Sequence, residues 1–365
     1  MMSRLGWFLA IGALGASFVA AGVAHAQVPA PVRLTLNENP FGPSPIVMKA
    51  LAEDLGGLFR YVGDEAAAVT KQIATFEGVS PDQVVLGEML DALGLQLSLQ
   101  GGPGGEFVYS VPGYAALVDA AARVGGIVVG VPLNAQLEND LPAIAATLNT
   151  RTRAVFLINP HNPSGTVNDA ATFLEFVRKT SKQTLVIVDE AYLEFDADYP
   201  RRTAMSLVRA GENVLVFRTF SKAHGLAALP FGYAAAPRAL AESLRRQGLG
   251  SPRGQNRLTL TAASASLRDP AHLGRVRTQV AAERTKWHAL LDGLKLRRTE
   301  SRANFIFFDA GRPQAEVAKV LLAEGVAIGR PFAPYQTWVR ISIGLPEENA
   351  RAQAAVRRLF SPGAQ

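Results

Sequence analysis

The sequence predicts an α/β fold, with a mostly parallel sheet of seven strands between helices and a smaller α+β part after it. Three observations carry this. Seven short apolar runs recur up to about residue 235, continuous rather than alternating, as expected of strands covered on both faces. Helical patterns fill most of the gaps between them. From about Pro252 the pattern changes to a long helix and widely spaced strands. A chain of 365 residues is long enough for a large domain and a smaller one.

Taken in order, the chain opens on a targeting segment. Arg4 supplies a positive start, Leu5 to Val23 is almost wholly apolar or small, and Ala24-His-Ala26 is a small-residue cleavage pattern before Gln27. Residues 1–26 are expected to be a signal peptide and the mature chain to be exported, to the periplasm. An uncleaved membrane anchor is the alternative. After cleavage no membrane contact is expected. Val28-Pro-Ala-Pro-Val32 reads as an extended linker, and residues 27–60 as an N-terminal arm.

The large domain is expected over 61–250. Its strands are Gln83–Leu86, Glu106–Ser110, Ile127–Val131, Ala154–Ile158, Thr184–Val188, Asn213–Phe217 and Phe231–Ala235. Helices are expected over Tyr114–Val124, closed by Gly125-Gly126, and over Asp169–Lys182. The small domain, 251–365, holds a helix from Pro270 to Leu294, a strand at Asn304–Phe308, a helix near Gln314–Glu324 and a strand at Trp338–Ile343. Its last helix starts after Pro346, with Glu347 and Glu348 at its head and Arg357-Arg358 at its tail, which matches the helix dipole at both ends.

Composition excludes several functions. The net charge of +6 is modest and dispersed, with no basic block interleaved with aromatics, so no nucleic-acid partner is expected. The pairs Arg201-Arg202, Arg245-Arg246 and Arg297-Arg298 read as solvated faces. Cysteine is absent, which removes disulfides, thiolate metal sites and cysteine nucleophiles. The five histidines lack ligand spacing, so no metal site is expected.

Three strand ends carry the chemistry. Lys222 follows the run Asn213–Phe217, where desolvation would free its amine to form a Schiff base. Thr219 and Ser221 offer hydroxyls suited to a phosphate, and Gly225 permits close backbone approach. Asp189 closes Val186-Ile-Val-Asp189, at the sheet edge where open α/β folds bind ligands. A buried carboxylate there needs a cation, and a protonated pyridine nitrogen would supply it. Asn162 lies in the turn-rich Asn159-Pro-His-Asn162-Pro-Ser-Gly165, with an amide suited to a phenolic oxygen. An amine, an acid and an amide in that arrangement are what pyridoxal 5'-phosphate requires.

With these motifs the chain resembles the fold-type I class I/II aminotransferases, and among them the histidinol-phosphate aminotransferase-like group. Further matching segments are Leu36-Asn-Glu-Asn-Pro-Phe-Gly-Pro43, Arg60-Tyr61 and Val339-Arg340-Ile-Ser-Ile-Gly344. The resemblance implies a pyridoxal-phosphate aminotransferase that moves an amino group between an amino acid and a 2-oxo acid in a ping-pong cycle. It implies that Lys222 holds the cofactor aldehyde and shuttles a proton, and that Asp189 pairs with the ring nitrogen. Asn162 and Tyr192 would bond the phenolic oxygen, Tyr114 would stack on the ring, and Ser221 would bind the phosphate. Tyr61 would reach the phosphate of a partner subunit in a homodimer. Arg340 would bind the substrate carboxylate through a bidentate fork, with Asn37 and Asn304 lining the substrate side. Other reactions on the same fold (decarboxylation, racemisation, lysis) and a non-catalytic cofactor binder remain alternatives.

The chain departs from the group at three places. Val62-Gly63 interrupts the motif after Tyr61. Pro230 stands where an arginine usually anchors the cofactor phosphate. Leu86-Gly-Glu-Met-Leu-Asp91 replaces a Gly-Ser-Asp-Glu turn that cradles it. A bond to a charged group contributes roughly 1.5–3 kcal/mol, so looser cofactor binding is expected, or a compensating arginine. Arg218 is the candidate by nearness in sequence. The Gly101–Gly105 loop is a second candidate donor, or a tight turn.

Overall fold

The computed structural model describes residues 30–361. The expected leader, residues 1–26, lies outside them. The expected linker, residues 28–32, lies partly outside the described residues and ends in β1 (Val32–Leu34), which leads to helix Pro45–Asp54. Ser44 caps that helix, accepting from the Val47 amide at 3.3 Å, and Pro45 occupies the first turn, where no amide is needed.

Seven strands then form one sheet: β2 (Val84–Leu86), β3 (Glu106–Val111), β4 (Ile127–Pro132), β5 (Thr152–Ile158), β6 (Leu185–Asp189), β7 (Val214–Thr219) and β8 (Gly232–Ala235). Their order across the sheet is β2-β8-β7-β6-β5-β3-β4. All run parallel except β8, which is antiparallel to both β7 and β2. This is the expected mostly parallel seven-stranded sheet. The continuous apolar runs are explained by burial on both faces, because β5, β6 and β7 each feed two separate cores. Phe156, Ile187 and Leu215 face one, and Val155, Val186 and Val214 face the other.

Further helices lie ahead of and between these strands, among them Pro45–Asp54, Glu65–Glu77, Leu90–Gly101 and Leu141–Thr147. The helix expected over 114–124 is shorter, Ala116–Ala122, because the chain bends at Pro112 and Gly113 after β3, and Tyr114 and Ala115 stay outside the helix. Helix Ala170–Ser181 falls where expected, capped by Asp169 on the Thr172 amide.

The C-terminal part contains β9 (Phe305–Asp309), β10 (Val326–Ile328) and β11 (Trp338–Ser342). β9 and β11 pair antiparallel, and β10 pairs in parallel with β1 of the N-terminal arm. They pack on helices Pro270–Gly293 and Pro346–Phe360 around Trp287, Phe305, Ile341 and Val356. Helix Arg257–Leu267, just past residue 251, shares its core instead with Val47, Ile73, Phe220 and Phe231.

The arginine pairs are not simply solvated, which corrects that expectation. Arg202 pairs with Asp196 at 2.9 Å, and Arg298 pairs with Asp292 at 2.8 Å and Glu300 at 2.7 Å. These partners lie two to six residues away in the chain, and the turns between them bring the charges together.

Candidate active site

The carboxyl ends of β2, β3, β5, β6 and β7 lie along one edge of the sheet, since these strands run in the same direction. Asp189 ends β6 and is only 3% exposed. Its Oδ1 accepts from the Ala191 amide at 2.9 Å. Burial pushes its carboxyl up to about 7, against the lowering effect of that bond. No arginine or lysine hydrogen-bonds it among the described residues.

Tyr192 lies three residues on, buried, with its ring edge-on to Phe305 at 5.2 Å between centroids. Its hydroxyl accepts from Asn37 Nδ2 at 3.2 Å and from Asn162 Nδ2 at 3.4 Å. Lys222 lies beyond the end of β7 and is half-buried, which corrects the expectation of a fully desolvated amine. Its Nζ donates to the Leu36 carbonyl at 3.1 Å and lies 5.8 Å from the centre of the Tyr192 ring. Gly225 holds this loop down: its φ is +71°, and a Cβ there would come within 2.4 Å of the Gly42 carbonyl carbon.

Arg340, in the middle of β11, is 7% exposed and has no acidic partner among the described residues. One terminal nitrogen donates to Asn162 Oδ1 at 2.6 Å and the other to the Thr35 carbonyl at 3.0 Å. Its Nε is buried without a partner. Burial pulls the guanidinium down to about 10, so it stays charged at neutral pH. A buried cation without a counter-charge is costly unless a ligand supplies one. This is the observation that most directly calls for an anionic substrate group.

Asn37 is buried at φ +55°, in the left-handed region that asparagine tolerates better than most residues. Its amide donates to Ser342 Oγ at 2.8 Å, and that hydroxyl donates to Asn37 Oδ1 at 3.1 Å. Asn304 is fully buried behind this segment and donates to the carbonyls of Asn37 and Glu38 at 3.0 and 3.2 Å. The structure therefore corrects its expected place: Asn304 positions the segment and does not line the open cleft. Ser342 was missed because a serine inside a strand carries no signal of its own.

On the other side of Lys222, toward β2, lie Thr219 and Ser221. Both hydroxyls donate to one Glu88 oxygen, Ser221 at 3.3 Å. Arg218 does not serve here, contrary to the expected compensation. It points into the opposite core, bonded to Glu77 at 2.9 Å, Glu190 at 3.0 Å and Thr203 at 2.9 Å. Successive strand residues face opposite sides, so Arg218 and Thr219 diverge. The Gly101–Gly105 loop leads into the amino end of β3, at the opposite edge of the sheet. It is a turn and takes no part in the site.

Tyr114 is 47% exposed, in the mouth of the site. Burial of part of its ring, then the charges of Asp189, Asp91 and Glu88, raise its phenol. Tyr61 is 94% exposed and meets none of the other site residues within the chain. A cavity of about 410 Å³ between Leu137 and Arg302 is lined by none of Lys222, Asp189, Asn162, Tyr192 or Arg340.

The family model described as aminotransferase class I and II matches residues 29–357. The chain belongs to that family. It is 37% identical over 333 residues to histidinol-phosphate aminotransferase 2 of Pseudomonas fluorescens, covering 90% of this chain and 89% of the relative. It is 33% identical over 326 residues to the aromatic amino acid aminotransferase of Cutibacterium acnes, covering 89% and 91%. Among solved structures, the histidinol-phosphate aminotransferase of Sinorhizobium meliloti in complex with pyridoxal-5'-phosphate superposes with a TM-score of 0.81 at 28% identity, covering 90% and 92%. The chain is thus a pyridoxal-phosphate-dependent aminotransferase of fold-type I. The decarboxylase, racemase, lyase and non-catalytic alternatives are set aside. The residues at the sheet edge fit the cofactor: an amine, a buried carboxyl lacking a cation, an amide-phenol pair and two hydroxyls.

Proposed function

We propose that Lys222, Asp189, Asn162, Tyr192, Tyr114 and Ser221 hold the cofactor, and that Arg340 holds the carboxylate of an amino acid or 2-oxo acid. The convergence of these groups at one sheet edge, with Arg340 buried and lacking an anion, supports the reading. Pyridoxal phosphate supplies the aldehyde that takes the amino nitrogen and the ring that accepts electrons. Asp189 keeps a proton on the ring nitrogen by supplying the negative charge opposite it. Asn162 and Tyr192 hold the phenolic oxygen from one side, which fixes the ring plane. Lys222 Nζ, 5.8 Å from the centre of the Tyr192 ring, would carry the proton to and from the substrate α-carbon. Asn37, fixed by Ser342 and Asn304, keeps the segment that roofs Lys222 in place.

The side chain of the amino donor is assigned to the ring-bearing class. Phe332 lies beside Arg340, its ring 4.9 Å from the guanidinium, and belongs to an aromatic cluster with Phe307, Tyr335 and Trp338. Relatives named for histidinol phosphate and for aromatic amino acids agree with a planar substrate group. Two further parts of the proposal are a homodimer, with Tyr61 completing the partner's site, and export directed by residues 1–26.

The test is the visible spectrum of residues 27–365 with added pyridoxal phosphate, beside Lys222→Ala. The expected result is a visible band that is missing in the variant and bleached by aromatic amino acids. A band that survives Lys222→Ala would remove the lysine from its role.

A further inference from the structure

The cofactor's own bonding pattern locates its phosphate arm. On the pyridoxal ring the phenolic oxygen and the phosphate arm flank the aldehyde carbon on opposite sides. With the aldehyde at Lys222 and the phenolic oxygen at Asn162 and Tyr192, toward β5, the phosphate must lie toward β8 and β2. There the structure places Thr219, Ser221 and Glu88. It also places the head of helix Leu90–Gly101, whose first-turn amides have no side-chain cap and so favour an anion.

The difficulty is charge. Glu88 already occupies both hydroxyls. A cavity of about 300 Å³ opens beside it, lined by Gly87, Met89, Pro230, Gly250, Gln255 and Asn256 among others. Glu88 is the one charged side chain on that lining, and no arginine or lysine joins it. Arg218, the nearest arginine in sequence, is spent on Glu77 and Glu190. A dianionic phosphate would therefore meet a carboxylate where a guanidinium would be expected, and like charges at contact are strongly unfavourable.

We propose that Glu88 couples cofactor binding to proton uptake: its carboxyl takes one proton from solvent when the phosphate binds, and then donates a hydrogen bond to a phosphate oxygen. The bond formed is Glu88 O–H to phosphate oxygen, and the hydroxyls of Thr219 and Ser221 are released to the same phosphate. The proposal rests on the cofactor reading above.

The surroundings agree. Glu88 is faced by Thr219, Ser221 and Lys222 from the β7 side, and by the charges of Asp189 and, through Tyr114 and Asp91, of the β3 turn and the helix head. Even before any phosphate arrives, burial of the carboxyl end raises it, outweighing the two hydroxyl bonds and Lys222. Glu88 as a whole is exposed, so water screens part of that effect. A bound dianion would add to it.

The experiment is a titration of the cofactor-stripped mature chain with pyridoxal phosphate, read by tryptophan fluorescence and by the visible band. Wild type and Glu88→Gln are compared from about pH 6 to about pH 9, where one linked proton makes the ratio of their Kd values rise about tenfold per pH unit. The cofactor's own titration is common to both proteins and cancels in the ratio, and pyridoxal, which meets the same Asp189, reports any shift that the variant causes there. Expected is a ratio that climbs with pH in this way, with the glutamine variant binding tighter at the alkaline end. A ratio independent of pH, or weaker binding by Glu88→Gln, overturns the proposal. Pyridoxal, which lacks the phosphate, is the second ligand. Its ratio is expected to stay flat, and a ratio that climbs for pyridoxal too would place the action of Glu88 on Lys222 and overturn the assignment. If no band dependent on Lys222 forms with either protein and either ligand, the cofactor roles proposed above fall, and this proposal with them.

Discussion

At the scale of single residues the site is a set of unpaired charges held ready. Asp189 is the clearest. Its carboxyl is raised to about 7 in the folded chain, above the usual value of 3.8, because it is buried without a cation. A raised carboxyl stabilises the fold fully at pH below the unfolded value and loses that contribution as pH rises through the folded value. The cofactor-free protein should therefore lose stability between about pH 4 and about pH 7 on account of Asp189. At 1.36 kcal/mol per pH unit the loss is at most on the order of 4 kcal/mol. Asp189→Asn should remove this pH dependence and make the stripped protein more stable than wild type at alkaline pH, while lowering activity. Urea melts of both proteins at acidic and alkaline pH decide it, and parallel curves would show that Asp189 is not the titrating group. Arg340 is the complementary case. Arg340→Met removes a buried cation with no counter-ion, so stability should hold within about 1 kcal/mol or improve. KM for the carboxylate substrate should rise at least tenfold, given roughly 1.5–3 kcal/mol for a charged hydrogen bond. Steady-state kinetics alongside thermal melts separate these two effects.

At the scale of elements, β7 shows how one strand serves two purposes. Arg218 and Thr219 are neighbours in sequence and face opposite sides of the sheet. Arg218 binds Glu77 of helix Glu65–Glu77 and Glu190 just beyond β6, tying a flanking helix to the strand ends that carry the site. Removing one member of a buried ion pair leaves the other unpaired and costs about 3–5 kcal/mol. Arg218→Ala should thus lower the denaturation midpoint sharply while leaving the Kd for pyridoxal phosphate of the folded fraction near that of wild type. A large loss of cofactor affinity without a loss of stability would restore Arg218 to the phosphate site. The β9–β11 pair works in the same way for the proposed substrate end: it is built on Phe305, Phe307, Val339 and Ile341, and presents Arg340 toward Asn162, beyond β5 of the large sheet.

At the scale of the whole molecule, residues 46–61 leave apolar side chains uncovered. Leu55, Leu58, Phe59 and Tyr61 are all exposed within one short segment, with Met48 and Ile46 nearby. Large adjoining apolar side chains of this kind mark an interaction surface, and a second copy is the partner that the proposed role of Tyr61 requires. Light scattering of the mature chain should give the mass of a dimer. Tyr61→Ala should weaken cofactor binding by up to about tenfold, the worth of roughly one hydrogen bond. A monomer that retains full activity would remove Tyr61 from the site. For the leader, the expected observation is a mature N-terminus at Gln27 in the exported fraction, read by mass spectrometry.

The sequence by itself determined the sheet, its mostly parallel sense and the three strand ends that bear Lys222, Asp189 and Asn162. Strand burial on two faces and strand-end turns are local properties written into short stretches of chain. The resemblance to the family, and not the residues alone, marked Pro230 and the turn at Gly87–Asp91 as departures. Only the tertiary structure decided what happens there. Whether Arg218 reaches the cofactor depends on which face of β7 it occupies, and that is set by register across the sheet. That Glu88 meets Ser221, 133 positions away, depends on β2 and β7 being brought to the same edge with β8 between them. Asn304 and Ser342 gain their parts only when β9 and β11 close on the segment Leu36–Asn39. Contacts over such separations have no periodicity to betray them, because they are made by the packing of whole elements and not by the neighbours along the chain.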